Sequence, residues 1–326
     1  MEKMTLKQAV MSSPGPNSIK ETIILAAKGL CMGGADIIPG VSGGTIALIA
    51  GIYQKLLAAI KSVDIVFFKK LLKLDIKGAI AEVHIRFLVV LFSGIAVAII
   101  SLSRLMNFLL KYHQAPTFSL FYGLIAASIY VVGKQVKWKT AEYISIVAGI
   151  VMAYLIVGLI PVSTPNDLWF IFLSGIIGIC AMILPGISGA FILLILGKYE
   201  FITGTLKAPF SANEITGVNN FIIIIVFCLG CAAGLAGFSR FLNWLLSKWH
   251  SITLAFLTGL MAGSMRRIWP WKGEAIVEII RGKEHIVSQP NIFPESFGLS
   301  FVFCLFLMFL GIAVIIILDR LSKKFS

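Results

Sequence analysis

The residues that could do chemistry in this chain are few, and they come in pairs. Arg104 and Arg240 interrupt long apolar runs, and each is followed three positions on by an asparagine, Asn107 or Asn243. A central arginine costs roughly 2.5–3.5 kcal/mol on membrane-insertion scales, so a partner or a wet cavity is expected. A guanidinium and a carboxamide three residues apart share a helix face and offer a fork of donors suited to phosphate oxygens. The competing role is snorkelling, in which the long stem carries the charge to the nearest headgroups. The second pair is the string PGVSG at 39–43 and its echo PGISG at 185–189. Pro39 and Pro185 cannot donate a backbone hydrogen bond, and Gly40 and Gly186 allow tight turns. A half-helix that starts after such a tip presents free N–H groups, a positive dipole end and a serine hydroxyl, which together suit an anion. The candidate anion-binding residues are therefore Pro39, Gly40, Ser42, Gly43, Gly44 and Thr45 at one tip, and Pro185, Gly186, Ser188 and Gly189 at the other. Arg104, Asn107, Arg240 and Asn243 join them.

Asp36 is the one acid near a tip, and Met182 stands at the matching place in the second. Three roles are open to it: carrier of a coupling proton or sodium ion, salt-bridge partner of Arg104, or cap of the half-helix. His113 and His250 fall at helix ends and His84 and His285 in loops, with no metal-like cluster. Cys228-x-x-Cys231 has no accompanying ligands and reads as two small residues on a helix face. No phosphate-binding loop, serine-hydrolase elbow or zinc-protease motif is present, so neither an enzyme nor a cofactor is expected.

The elements that position these residues follow from composition. Of 326 residues, 58% are hydrophobic and 13% charged, with a mean hydropathy of +0.96. A soluble domain carries about a quarter charged residues. Apolar runs exceed the ~20 residues a spanning helix needs, and strand-like alternation is absent, so an all-α polytopic membrane protein is expected. Six ordinary spans read at about 87–110, 117–132, 143–160, 221–246, 253–268 and 297–318. Two longer apolar segments, 22–60 and 168–203, are each split by a Pro-Gly. Net charge is +13, but the basic residues sit between apolar runs, which points to orientation and lipid headgroups rather than nucleic acid.

The two broken segments are copies. At an offset of 146, 11 of the 19 positions from Ala35 to Tyr53 recur from Ala181 to Tyr199. Downstream, Gly94, Arg104, Asn107, Thr117 and Gly123 recur at an offset of 136 as Gly230, Arg240, Asn243, Thr253 and Gly259. The chain thus reads as a single membrane domain of two repeats, about 19–161 and 168–320. Each is a re-entrant hairpin plus three transmembrane helices. If the broken segments enter and leave on one side, the copies are inverted, with 18 Lys and Arg on one side and 8 on the other. Both termini are then cytoplasmic. Inverted repeats with broken helices point to a transporter whose site lies at the repeat interface. The basic amphipathic stretch 55–86 is expected to lie on anionic lipid. The N-terminus reads as retained, without a cleavage site.

The stretch GGADIIPGVSGGTIAL at 33–48, with its echo LPGISGAFILLILGKY at 184–199, resembles the PopT-like polyprenyl-phosphate transporter family. The resemblance covers nearly the whole chain. It implies a bacterial or archaeal cytoplasmic membrane protein that returns undecaprenyl phosphate to the cytoplasmic leaflet for reuse in cell-envelope synthesis. Residue pattern alone reaches a transporter for something anionic. A secondary transporter or channel for a small soluble anion is the alternative, and a homodimer is a candidate assembly.

Overall fold

A computed structural model describes residues 5–37, 42–63, 65–160, 162, 164–207, 209–211, 213, 216, 218–274, 276–280, 283–294 and 297–324. Pro39 and Gly40 therefore lie outside the described residues, as does the side chain of Asn107.

The chain opens with α1 (Leu6–Ser12) and α2 (Ile19–Asp36), then a short return helix α3 (Gly43–Ile49). Three short helices follow: α4 (Tyr53–Lys61), α5 (Ile65–Leu72) and α6 (Ile76–Glu82). The long helices are α7 (Ile85–Tyr112), α8 (Gln114–Gly133) and α9 (Thr140–Val157). The second repeat has α10 (Leu168–Ile183), the return helix α11 (Gly189–Ile195), α12 (Tyr199–Lys207), α13 (Asn220–Lys248) and α14 (His250–Ser264). A small antiparallel hairpin, β1 (Ile276–Ile280) with β2 (Lys283–Ser288), precedes α15 (Leu299–Lys324).

The fold is thus helical, with this hairpin added in the long loop, where the β-branched runs IVEII and HIVS favour strands. Among the described residues five helices are long and apolar enough to cross a membrane, or up to seven if each bent pair counts as one span. The five match five of the six spans expected from sequence. The sixth, α14, is only 15 residues long and mostly buried against α8 and α9. A helix wrapped in protein need not match the lipid in length or apolarity, which is why its threonines and serines fit there.

Each return helix ends in a second break that the Pro-Gly reading did not anticipate. Gly51 has φ +67° and Gly197 has φ +63°. Ile52 N–H reaches the Ala47 carbonyl at 3.0 Å, and Lys198 N–H reaches Leu193 at 2.8 Å. These are left-handed glycine caps that stop a helix abruptly. Beyond them α4 turns 116° from α3, and α12 turns 108° from α11.

Glycines set the helix pairings. A Cβ on Gly29 would strike the Leu91 carbonyl, and one on Gly33 would lie 2.6 Å from the Ile95 carbonyl. Higher numbers meet higher numbers, so α2 and α7 run parallel. In the second repeat Gly175 meets Phe227 and Cys231, and Gly234 meets Ile176 and Ile179, so α10 and α13 run parallel too. The repeats also exchange partners: α9 packs on α14 through Gly149 and Gly259, and α8 packs on α15 through Gly123 and Gly311. Such small-residue contacts let backbones approach where lipid supplies no hydrophobic drive.

Candidate functional site

The tips meet. Ser42 caps α3, its Oγ accepting from Gly44 N–H at 3.1 Å. The same hydroxyl lies 3.3 Å from the Leu184 carbonyl and 3.4 Å from the Met182 carbonyl of the opposite tip. Thr45 Oγ1 accepts from Gly186 N–H at 2.8 Å, and Tyr53 donates to the Ile183 carbonyl at 3.0 Å. Ser42, Thr45 and Tyr53 are almost wholly buried. Gly44 is small by necessity, because a Cβ there would lie 2.7 Å from the Ile183 carbonyl. Gly186 has φ +87° and packs against the Leu260 backbone of α14. Pro185 and Gly189 are buried beside it, and Ser188 Oγ faces Phe191 N–H at 3.5 Å.

The two tips differ in charge. Asp36 Oδ1 accepts from Gly43 N–H at 2.6 Å, so the N-terminus of α3 already holds a carboxylate. That is the capping role among the three open to Asp36, and no ion pair joins it to Arg104 among the described residues. At the second tip Met182 replaces the acid. A cation stands nearby instead: the Arg267 guanidinium, from just beyond α14, lies 4.8 Å from the centre of the Phe191 ring, one turn into α11.

The intramembrane arginines stand apart from the tips. Arg104 is exposed. Arg240 is half-buried and turns back to the Ala236 carbonyl of its own helix at 2.7 Å, with Asn243 half-buried one turn on.

Arg266, Arg267 and Lys272, among the eight Lys and Arg counted on the less basic side, form a cluster. The Arg266 guanidinium stacks over Tyr154 at 4.3 Å. Lys272 Nζ donates to Asn291 Oδ1 at 2.6 Å, and Asn291 Nδ2 donates to the Arg266 carbonyl at 2.9 Å. Burial, together with Arg267 and Arg266, pushes the Lys272 ammonium down to about 8. The available signal was the string RRIWPWK at 266–272: three cations and two tryptophans with no acid.

A cavity of about 460 Å³ opens on the opposite end of the fold, between the starts of α2 and α7 and the length of α4. Lys28, Lys55, His84 and the carboxylate of Glu21 line it with Ile24, Ile52 and Phe87. Lys28 Nζ also reaches the Ala50 carbonyl at 2.7 Å, where it meets the negative end of α3. At the 146-residue offset Ser174 and Phe201 replace the two lysines. Phe201 is buried among Ile171, Ile202 and Ile223, so the twin of this cavity is packed shut.

The profile of the undecaprenyl phosphate translocase-like family matches residues 32–285, a span that holds both tips, both arginine helices and the loop cluster. The chain belongs to the undecaprenyl phosphate translocase-like family. It is 37% identical over 305 residues to a polyprenyl-phosphate transporter of Vibrio cholerae serotype O1, covering 91% of this chain and 96% of the relative. A polyprenyl-phosphate transporter of Staphylococcus aureus is 31% identical over 259 residues, 74% of this chain and 84% of its own. No solved structure matches the chain. For a translocase-like family member the geometry is apt in kind. Donors and cations lie at two ends of a helical body, and a sealed contact between two tips lies between them.

Proposed function

We propose that this chain carries polyprenyl phosphate across a bacterial cytoplasmic membrane, from the outer to the cytoplasmic leaflet, without chemical conversion. The observation that carries this reading is the 37% identity, over nine-tenths of both chains, to a polyprenyl-phosphate transporter. Two inverted repeats are the framework. In support, the parallel packing of α2 with α7 and of α10 with α13 means each broken segment returns to the side it came from. Three helices then follow in each repeat, an odd number, which reverses the second copy. The side holding 18 of the Lys and Arg, with both termini, is then cytoplasmic.

In this reading the tip contact is the barrier. The bonds from Ser42, Thr45 and Tyr53 to the second tip close the path, and the phosphate passes when the tips part. Asp36 holds the first tip shut against stray anions by occupying the start of α3. A proton or cation at Asp36 would neutralise that cap and free the Gly43 N–H for the phosphate. The Lys28–Lys55 cavity is the cytoplasmic exit, with cations for the head and Ile24 and Phe87 for the first part of the tail. Arg104 and Arg240 flank the route as outer and inner stations. The exposed Leu72 and Leu74 of the basic stretch after α4 rest on anionic lipid.

The test is reconstitution in vesicles of known protein orientation, with a fluorescent polyprenyl phosphate loaded in one leaflet. Protein-dependent exchange between leaflets is the expected result. No exchange, together with uptake of soluble phosphate, would replace this reading with a small-anion transporter. Orientation is checked separately with single cysteines and an impermeant thiol reagent. Labelling of 62–82 from the outside would overturn the inverted topology.

A further inference from the structure

A second cavity, of about 300 Å³, lies beside the Arg267–Lys272 cluster. It is walled by Tyr122 of α8, Trp269 and Trp271 of the loop, Phe293, and Phe297 and Phe301 at the start of α15. The aromatic rings interlock. Trp269 meets Tyr122 edge-on at 5.6 Å and Trp271 at 5.4 Å, and Trp271 meets Phe301 at 5.5 Å. The wall is held in place by Trp269 Nε1 donating to the Ile292 carbonyl at 2.9 Å and by the Asn291 bonds to Lys272 and Arg266. Phe293 and Phe297 remain strongly exposed at its mouth. The cavity is apolar throughout; its two tryptophans lie in the chain between Arg267 and Lys272, and no ion pair holds either cation among the described residues.

We propose that this is the outer-leaflet capture site for polyprenyl phosphate: Arg267 and Lys272 take the phosphate monoester, and the aromatic box takes the first isoprene units of the tail. The inference rests on the transport reading above and adds a site to it. Three observations favour this occupant over ordinary interfacial anchoring. Anchoring aromatics point outward singly, whereas these pack on one another around an open apolar groove. Two cations with no ion-pair partner among the described residues repel each other at a cost that a dianionic head offsets, which a single-charged lipid does less well. Arg267 also touches Phe191, one turn into α11, so a head bound there stands next to the tip that has no resident carboxylate. At the 136-residue offset Val131 stands in place of Arg267 and Tyr130 in place of Arg266.

The experiment uses the purified full-length protein in detergent, titrated with geranylgeranyl monophosphate, with inorganic phosphate and with dioleoyl phosphatidate. Binding is followed by tryptophan emission and by equilibrium retention of labelled ligand. The expected result is saturable binding of the prenyl phosphate with a blue shift. Arg267→Gln and Lys272→Gln should each weaken it at least fivefold. Phe301→Ala should weaken prenyl phosphate but leave the feeble binding of inorganic phosphate unchanged, and phosphatidate should compete at least tenfold less well. Thermal unfolding checks that each variant is folded. If Arg267→Gln is not, Lys272→Gln, in the half-exposed loop, decides. Wild-type affinity in Lys272→Gln, or phosphatidate binding as tightly as the prenyl phosphate, overturns the capture site. Leaflet exchange by the wild type, measured in parallel, separates the two failures. Exchange with no effect of these variants removes the site and leaves the transporter, whereas no exchange at all removes the transport reading itself.

Discussion

Thr45 offers a test of the tip contact in which two physical effects carry opposite signs. Its Oγ1 accepts from Gly186 N–H at 2.8 Å, and both groups are buried. Thr45→Val replaces that oxygen with a methyl of similar size and leaves the N–H without an acceptor. An unsatisfied buried donor costs about 1–3 kcal/mol. The amide cannot turn elsewhere, because Gly186 is held at φ +87° with its Cα face against the Leu260 carbonyl. Nor does a methyl fit at the position of the oxygen, since carbon contacts settle at about 3.5–4.0 Å. Thr45→Ser keeps the acceptor and loses one methyl, about 0.8 kcal/mol of burial. The expected order of stability is wild type, then Thr45→Ser, then Thr45→Val, with Val lowest by roughly 2–8 °C in unfolding temperature. Apolar burial alone orders the two variants the other way. Thermal unfolding at a fixed scan rate in one detergent gives the ranking. Thr45→Val as stable as Thr45→Ser would refute the hydrogen-bonded closure of the tips.

Prenyl-phosphate affinity in the outer cluster should fall as pH rises through about 8, where Lys272 loses its proton, while the arginines keep theirs. Lys272→Arg should remove that step, and a pH titration of binding reads it. The same lowered value means the unfolded chain holds more protons between about 8 and 10.5, so the ligand-free protein gains stability with pH across that window, and Lys272→Gln should flatten the gain. Gly123→Ala should fail to fold, because its Cβ would strike the Met308 carbonyl, whereas Gly237→Ala meets nothing within 4 Å and should add about 0.5–1 kcal/mol of helix stability. Expression and unfolding temperature separate the two. Arg104→Lys should weaken exchange loaded from the outer leaflet and Arg240→Lys exchange loaded from the inner, since lysine keeps the charge and loses the planar fork. Full activity of both from both sides would leave snorkelling as their role.

Much of the architecture was legible because it is written in local pattern. Apolar length marked the long helices, and the repeated PGxSG marked two tips whose similarity survived 146 residues of separation. The second breaks were written as well, in Gly51 and Gly197, but a glycine in an apolar run does not announce a positive φ until the chain turns on it. Short α14 read as an ordinary span because burial by neighbouring helices leaves no mark on hydropathy. The tip contacts were illegible for a different reason. Thr45 and Gly186 lie 141 positions apart, and nothing in either residue type names the other. Asp36 was visible as an oddity, but only the hairpin geometry across the tip shows its carboxylate capping α3.

The asymmetry between the copies is the feature that joins fold to function. Duplication builds two equivalent tips, and a carrier made of identical halves would bind equally on both sides. Substitutions have made the halves unlike at three matched places. Asp36 faces Met182, Lys28 and Lys55 face Ser174 and Phe201, and Arg267 faces Val131. The first puts a resident anion at one tip only. The second leaves a cationic cavity open at one end and packs its twin with phenylalanine. The third sets an arginine against the tip that lacks the acid. Equivalent scaffolds thus carry unequal charges, with an arginine beside the second tip and a carboxylate at the first. In the transport reading proposed above, opposing charge of that kind would let one conformation hold the head while the other expels it, a difference in affinity between states on which a coupled transport cycle can draw.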